Sequence, residues 1–249
     1  MIDGRIDELV RRLTEARRAV ALTGAGVSTE SGIPDFRSSG GLWQGVDPMQ
    51  VASIRGFLQD PKGFYRFWMD KFARLVTAQP NVTHHLLAGL ERGGHLLSVV
   101  TQNIDGLHRK AGSERVHEVH GTFQRARCLQ CATSYPLAEV FDRARRWEVP
   151  RCDVCGGLLK PDVVLFGEML PPAFREGEGD VAQADVLVVL GSSLEVYPVA
   201  DLVPQAKRAG ARIVLVNRQP GPYDAIADLV IHGELGPVME EVRSRLAAA

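Results

Sequence analysis

The run AVALTGAGVSTESGIPDFRSSGGLW, residues 19–43, joins an apolar strand to a glycine turn and gives the first indication of the fold class. Gly24 and Gly26 permit the sharp turn and the close backbone approach of a phosphate-binding loop, although a plain strand-to-helix turn would use the same residues. An ordinary dinucleotide loop would have a third glycine where this chain has Thr29. Pro34 and its neighbours then replace the expected helix, so the stretch predicts a nucleotide site of an unusual kind.

Further apolar runs, each followed by turn residues, continue this pattern along the chain. Several are apolar throughout, as strands covered on both faces are, and helical segments at 80–92 and 198–208 separate some of them. Alternating strands and helices predict an α/β fold with an open parallel sheet doubly wound by helices. The predicted strands span residues 19–23, 96–101, 162–166, 185–190, 212–216 and 228–231.

Polar or glycine-rich turns follow four of these strands: GAG at 24–26, QNID at 102–105, GSS at 191–193 and NRQ at 217–219. Because ligands of open parallel sheets bind beyond the carboxyl ends of the strands, these turns predict a nucleotide crevice. Asp47 lies near the distance at which a dehydrogenase places its ribose-binding acid, but it stands among loop residues. Hydride transfer is therefore the weaker hypothesis.

The composition of the 249 residues is that of an ordinary globular protein, with 45% hydrophobic and 24% charged residues. Lys and Arg number 29 against 30 Asp and Glu, so no overall field draws the chain to nucleic acid or a membrane. The amino-terminal segment has the pattern of an amphipathic helix and lacks the features of a signal peptide. No apolar run approaches the roughly 18 residues of a membrane span. We therefore expect a cytoplasmic protein without nucleic-acid or membrane partners.

Two segments interrupt the alternation of strands and helices. Residues 38–80 are rich in aromatics at helical spacing, and residues 119–161 contain all four cysteines. Neither continues the strand rhythm, so both are predicted to form a smaller lobe beside the sheet.

The four cysteines form two C-x-x-C pairs separated by twenty residues. This spacing predicts a tetrahedral Zn²⁺ site, because each pair makes one tight knuckle and two knuckles complete the coordination shell. Two disulfides are disfavoured in a cytoplasmic protein, and a redox site needs only one pair. With four thiolates and no open position the metal would be structural. The predicted ligands are Cys128, Cys131, Cys152 and Cys155.

Two polar clusters supply candidate chemistry. Gln102, Asn103 and Asp105 directly follow a predicted strand, where they would either cap turns or offer partners to a carboxamide and to ribose hydroxyls. His117 and His120 in VHEVHG alternate with apolar positions, and histidine is the commonest general base near neutral pH. Residue types alone leave the choice between these two histidines open.

Taken together, the motifs closely resemble those of the sirtuins, the NAD-dependent protein lysine deacylases. The resemblance spans about residues 6–240 in the family's order. It rests on GAGVSTESGIPDFRSSGGLW, TQNIDGLHRKAG, VHEVHG, the paired C-x-x-C, PDVVLFGEMLP, GSSLEVYPVADL and VNRQ.

The resemblance implies a Rossmann-like domain at 1–37, 81–118 and 162–249, with a small lobe made of a helical module at 38–80 and a four-cysteine zinc ribbon at 119–161. It aligns His120, and not His117, with the family's catalytic base, and makes Asn103 and Asp105 catalytic as well. The NAD-binding residues that it implies are Gly24, Ala25, Gly26, Thr29, Asp35, Phe36, Arg37, Gln102, Asn103, Ile104, Asp105, Gly191, Ser192, Ser193, Asn217, Arg218 and Leu235.

In the implied reaction, nicotinamide leaves NAD and the acyl oxygen of the substrate lysine attacks the ribose cation that Phe36 shields from water. Neutral His120 then deprotonates a ribose hydroxyl, which attacks the resulting imidate, and water completes the transfer. The products are free lysine, nicotinamide and O-acyl-ADP-ribose. Activity is expected to fall on acidification through the histidine pKa.

An acyl-lysine peptide is expected to add as a strand beside VVLFGE, residues 163–168, between Gly167 and the loop around Val196. For residues 163–165, core packing of a buried strand explains most of the apolar pattern. The implied substrate-binding residues are Val163, Phe166, Gly167, Glu168 and Val196. Some sirtuins bind acidic acyl groups with a tyrosine and an arginine three positions later, but no arginine stands three positions after Tyr65. In an alternative register Trp68 and Lys71 take these two positions, and lysine lacks the bidentate fork with which arginine binds a carboxylate. A preference for acetyl or longer neutral acyl groups follows.

The expected function is NAD-dependent removal of acetyl groups from protein lysines. The alternative is a mono-ADP-ribosyltransferase that uses the same cleft with a different nucleophile. A non-catalytic NAD-sensing module is disfavoured by the presence of His120, Asn103 and Asp105.

Overall fold

The computed structural model describes residues 2–147 and 149–248, so Met1, Glu148 and Ala249, which fall within the predicted domain ranges, lie outside the described residues. The strands are β1 Ala19–Thr23, β2 Leu96–Thr101, β3 Val116–Glu118, β4 Gly121–Cys128, β5 Ser134–Pro136, β6 Leu159–Val163, β7 Val186–Leu190, β8 Arg212–Asn217 and β9 Leu229–His232. The helices are α1 Ile2–Glu15, α2 Pro48–Val51, α3 Ile54–Gln59, α4 Pro61–Thr77, α5 Val82–Arg92, α6 Leu107–Lys110, α7 Leu137–Trp147, α8 Pro172–Ala182, α9 Leu202–Arg208 and α10 Leu235–Ala248. Short 3-10 turns span Ala25–Val27, Thr29–Ser31, Val199–Asp201 and Asp224–Ile226.

A six-stranded parallel sheet in the order β3-β2-β1-β7-β8-β9 forms the large lobe. Successive side chains of β1 point to opposite faces of the sheet, as in any β-strand, and so pack into two different hydrophobic cores. Ala19 and Ala21 pack with α1, α5 and α10, whereas Val20 and Leu22 pack with α9 and the end of α8. The sheet is therefore wound on both faces, which confirms the predicted fold class.

The smaller lobe combines an antiparallel sheet, in the order β5-β4-β6, with α7 and the helices α2 to α4. The aromatic residues of α4 form the core of this lobe. Tyr65 is 1% exposed and donates a hydrogen bond from its hydroxyl to the carbonyl of Leu159 at 2.7 Å, and Trp68 donates from Nε1 to the carbonyl of Val51 at 2.8 Å. Burying side chains of this size contributes about 2–3 kcal/mol each, so the lobe has a core of its own.

Two sequence-based strand assignments need correction. The prediction that the run at 162–166 belongs to the parallel sheet is wrong, because β6 ends at Val163 and pairs antiparallel with β4. The run is apolar because Val163 and Leu165 pack into the core of the small lobe. The edge strand β3 is absent from the predicted strands, since its three residues are too few to show a period. By contrast, β1 and β2 have the predicted bounds.

None of the helices in the described part of the chain combines the length and the apolarity needed to cross a membrane.

Candidate active site

The glycine turn after β1 packs directly against the turn after β7. The amide of Gly26 donates to the carbonyl of Gly191 at 2.9 Å, and that of Gly24 to the carbonyl of Leu190 at 3.1 Å. A Cβ added to Gly24 or Gly26 would lie 2.8 Å from backbone atoms of Gly191, which itself has a φ of +59°. The close packing of the two turns thus requires glycine at these positions, and the backbone at the ends of β1 and β7 carries no side chains there.

Asn103 and Asp105 share one hydroxyl group, that of Ser28. The Ser28 hydroxyl donates to Asp105 Oδ2 at 2.7 Å and accepts from Asn103 Nδ2 at 3.1 Å. Asp105 Oδ1 accepts from the amide of Leu107 at 2.9 Å, so the carboxylate also begins α6. Ser28 is 1% exposed, and sequence reasoning missed it although a hydroxyl so soon after Gly26 was a usable signal.

The carboxyl group of Asp105 lies in a setting that opposes its ionisation. Burial raises the pKa of Asp105 above its ordinary value, and the hydrogen bonds from Leu107 and Ser28 offset only part of that rise. These donors therefore favour the ionised form, together with the backbone amide of Asp105 itself.

His120 lies in the turn between β3 and β4, where the large lobe meets the small one. Its Nδ1 is 3.1 Å from the carbonyl oxygen of Gln102. Since a carbonyl only accepts, Nδ1 carries the hydrogen and Nε2 keeps a lone pair. Burial lowers the pKa of His120, with the contact to Gln102 opposing the shift in part. The imidazole is therefore neutral near pH 7.

His117 makes a different set of contacts. It is 7% exposed, and its Nε2 lies 2.8 Å from Asp180 Oδ2 while its Nδ1 lies 3.5 Å from Glu176 on the same helix, α8. Arg115 also donates to Asp180, from Nε at 2.8 Å. Burial acts to raise the pKa of Asp180, but the hydrogen bonds from Arg115 and His117 lower it overall. His117 thus fastens β3 to α8.

The segment from Asp35 to Trp43 folds back on itself beside these groups. Asp35 Oδ1 accepts from the amides of Arg37 at 3.1 Å and Ser38 at 2.8 Å. The carbonyl of Phe36 accepts from the amide of Trp43 at 3.0 Å, and the two rings lie 4.9 Å apart. Arg37 Nε lies 3.1 Å from Glu195 Oε2, which ties this loop to the turn after β7.

The remaining predicted cofactor residues extend along the same edge of the sheet. Gln102 Nε2 donates to the hydroxyl of Ser192 at 2.9 Å, joining the ends of β2 and β7. Thr29 donates to the carbonyl of Gly26 at 3.0 Å, and Asn217 Nδ2 donates to the carbonyl of Gln219 at 3.0 Å. The other members lie in the same turns or close by: Ala25 beside the two glycines, Ile104 packed on the small-lobe core, exposed Ser193 and Arg218, and half-buried Leu235 at the start of α10.

The predicted peptide groove is bounded by the segment after β6. Phe166 pairs with the helical module, since its amide donates to the carbonyl of Ala52 at 2.9 Å and its carbonyl accepts from the amide of Ile54 at 3.0 Å. Phe166 is 40% exposed, Gly167 is exposed and Val196 is half-buried, whereas Val163 is 6% exposed in the small-lobe core. Of these predicted substrate residues, Phe166 and Gly167 are therefore accessible at the surface and Val163 is not.

The four cysteine thiols gather at one end of the small lobe. All four Sγ atoms lie within 4.8 Å of one another, and none is in a disulfide. Cys128 and Cys155 are 3.4 Å apart at sulfur, and Cys131 and Cys152 are 3.5 Å apart. One residue from each C-x-x-C pair thus contacts one from the other.

These features define the class of protein: a Rossmann-like α/β protein with a cysteine-bearing small lobe beside its strand ends. The chain belongs to the Sir2 family, whose profile matches residues 24–198. It is 45% identical over 232 residues to NAD-dependent protein deacylase 2 of Archaeoglobus fulgidus, and the match covers 92% of this chain and 91% of that relative.

Two further comparisons agree with this family. NAD-dependent protein deacetylase of Caldivirga maquilingensis is 46% identical over 241 residues, covering 95% of this chain and 93% of that relative. A solved structure described as "Sir2-p53 peptide-NAD+" is 40% identical and has a TM-score of 0.92, covering 98% of this chain and 99% of that one.

Proposed function

We propose that this chain removes acetyl groups from protein lysines in a reaction that consumes NAD and releases nicotinamide and O-acetyl-ADP-ribose. One observation carries the proposal. In this chain of the Sir2 family, the hydroxyl of Ser28 joins Asn103 and Asp105. The ring of neutral His120 is hydrogen-bonded to the carbonyl of Gln102, the residue directly before Asn103. An amide, a carboxylate and a base therefore converge at the carboxyl ends of β1 and β2.

The residues at the strand ends suit NAD. When bound, NAD would supply an electrophilic ribose carbon on loss of nicotinamide. Gly24, Gly26 and Gly191 bring the two turns into backbone contact, since a Cβ at any of them would strike the neighbouring turn. Backbone amides in a glycine turn of this kind are the groups that would approach the pyrophosphate. Asn103 and Asp105 offer the amide and carboxylate that a carboxamide and ribose hydroxyls need.

The other site residues would act on proton transfer and on water. His120 Nε2 has the lone pair that accepts a proton from a ribose hydroxyl, because Nδ1 donates to Gln102. Phe36, backed by Trp43, excludes water from the reacting carbon. Arg37, through its ion pair with Glu195, closes the segment that carries Phe36 over the site.

The cysteine cluster suits a structural zinc ion. Tetrahedral Zn–S bonds of about 2.3 Å put sulfurs roughly 3.8 Å apart, close to the separations of the four thiols. With Cys128, Cys131, Cys152 and Cys155 all engaged, no coordination position is left for chemistry. The cytoplasmic location that we propose would keep these four thiols reduced and able to bind the metal.

The acyl group is proposed to be neutral. Tyr65 is buried with its hydroxyl on Leu159, and the ammonium of Lys71 lies 3.7 Å from the centre of the Phe67 ring. Acetyl-lysine peptides are expected to turn over at least about tenfold faster than succinyl-lysine peptides, and comparable kcat/KM values would contradict this.

The test of the function is mass spectrometry of reactions with NAD and an acetyl-lysine peptide, using the wild type, His120→Ala and His85→Ala. His85 is an exposed histidine on α5 and serves as the matched control. Wild type and His85→Ala are expected to yield a peptide lighter by one acetyl group, with nicotinamide and O-acetyl-ADP-ribose, and His120→Ala is not. Label from NAD left on protein, with the acetyl group retained, would instead identify a mono-ADP-ribosyltransferase.

A further inference from the structure

A buried lysine lies beneath the predicted peptide groove. Lys160, in β6, is 7% exposed, and its Nζ is 2.9 Å from Glu168 Oε2, 2.7 Å from the carbonyl of Val163 and 3.1 Å from the carbonyl of Pro161. Lysine is among the residues that are least often buried, because its charge loses hydration. Here a carboxylate and two carbonyls replace that hydration, so the ammonium is held in one place.

Glu168, the partner of this lysine, closes the turn that borders the groove. Its Oε2 accepts from the amide of Leu165 at 2.8 Å, and its own amide donates to the carbonyl of Leu165 at 3.0 Å. Gly167, inside the turn, has a φ of +90°, a conformation that only glycine adopts without strain. The conformation of residues 165–168 thus depends on a carboxylate whose charge Lys160 balances.

The same segment is anchored on both of its flanks. The amide of Val164 donates to the carbonyl of His120 at 2.8 Å, and Phe166 pairs with Ala52 and Ile54. The described contacts of Lys160 lie within β6, at Pro161 and Val163, and on the turn at Glu168. None involves the turns of Gly24, Gly191 or Asn103. Loss of the ammonium would therefore disturb the peptide side of the cleft and spare the NAD side.

We propose that Lys160 is a positioning residue for the acyl-lysine peptide, acting through Glu168 and the turn at 165–168 to set peptide affinity. This inference rests on the proposed function. The proposal predicts that the KM for peptide depends on Lys160 and that the KM for NAD does not.

The test compares Lys160→Met, which keeps the length of the side chain without its charge, with Lys160→Arg, Glu168→Gln and the double variant Lys160→Met/Glu168→Gln. Lys207→Met is the matched control, since Lys207 lies 2.7 Å from Asp228 in an ion pair made by α9. The KM for peptide and for NAD is measured in deacetylation, the Kd of a fluorescein-labelled acetyl-lysine peptide by anisotropy, and folding by thermal melting.

Lys160→Met is expected to raise the peptide KM and Kd by about tenfold with the NAD KM within about twofold, because the half-buried carboxylate of Glu168 loses the cation that balances it. Lys160→Arg keeps the charge and the double variant removes both charges, so each is expected to bind peptide better than Lys160→Met. Equal changes in both KM values, no change in the peptide Kd, or an arginine variant no better than methionine would overturn the inference.

The two proposals fail in different ways. A wild type that binds peptide but removes no acetyl group refutes the proposed function, and the anisotropy series still decides the role of Lys160. If Lys160→Met does not fold, Lys160→Arg and Glu168→Gln decide instead, because a peptide Kd equal to that of the wild type in both would refute the inference.

Discussion

Replacing Ser28 by alanine isolates the contribution of one hydroxyl to the proposed site. The change removes the hydrogen bond to Asp105 at 2.7 Å and the one from Asn103 at 3.1 Å. A hydrogen bond to a charged group contributes about 1.5–3 kcal/mol and a neutral one about 0.5–1.5 kcal/mol, so the variant loses roughly 2–4 kcal/mol of site stabilisation. If the transition state requires both groups in place, kcat/KM falls by about 30- to 1,000-fold.

The loss is specific in its pH dependence as well as its size. Ser28 is one of the donors that oppose the effect of burial on Asp105, so its removal raises the pKa of that carboxyl further. The acid limb of the kcat/KM profile is therefore expected to move to higher pH in Ser28→Ala. Deacetylation rates across pH 5 to 9, with thermal melting to verify folding, measure both effects.

Ser31→Ala is the matched control for this experiment. Ser31 lies in the adjacent 3-10 turn and accepts a hydrogen bond from Asn81 Nδ2 at 3.0 Å, without contacting Asp105 or Asn103 in the described contacts. A folded Ser28→Ala protein within about threefold of wild-type kcat/KM, or a Ser31→Ala protein equally impaired, would show that the Ser28 hydroxyl does not organise the site.

Three further predictions concern the pH dependence of stability and the binding of zinc. Burial lowers the pKa of His84 to about 4, so this group lowers the free energy of unfolding by about 3 kcal/mol as pH falls from about 6.5 towards 4. In urea unfolding, the difference in free energy between pH 7 and pH 5 should be smaller for His84→Gln than for the wild type. Burial raises the pKa of Asp105, so its ionisation costs stability as pH rises above its unfolded pKa; Asp105→Asn should be inactive yet melt no lower than the wild type at pH 8. Cys131→Ser removes one of the four clustered thiols and should lower bound zinc, measured by elemental analysis, and abolish activity while far-UV circular dichroism keeps the signal of the parallel sheet.

The parts of the fold that the sequence predicts are those whose burial is uniform. β1 and β2 are covered on both faces, so their residues are nearly all apolar and their bounds follow from composition alone. The run after Pro161 is equally apolar, yet it enters the core of a different lobe, because strand partners depend on contacts that are remote in sequence. Local pattern thus indicates that the run is buried, but it determines neither the bounds of the strand, which ends at Val163, nor the sheet that the strand joins.

The site divides in the same way. The glycine turns and the polar residues at strand ends stand in the sequence at positions that parallel topology brings together. The sequence does not show which side chains meet. Ser28 bridges Asn103 and Asp105 from another strand end, and Lys160 lies beneath Glu168 across a turn, so both pairings are created only by the folded chain.

The position of His120 links the two lobes and explains why its turn bears on both substrates. Its ring is held by the carbonyl of Gln102 in the large lobe, while its own carbonyl accepts from the amide of Val164 in the small-lobe segment that borders the peptide groove. A shift of β6 relative to β2 would therefore strain one hydrogen bond or the other. Because the tautomer of His120 depends on the contact to Gln102, such a shift would alter the proton-accepting nitrogen as well as the groove. Peptide binding and base orientation are accordingly expected to be coupled through a single turn of chain.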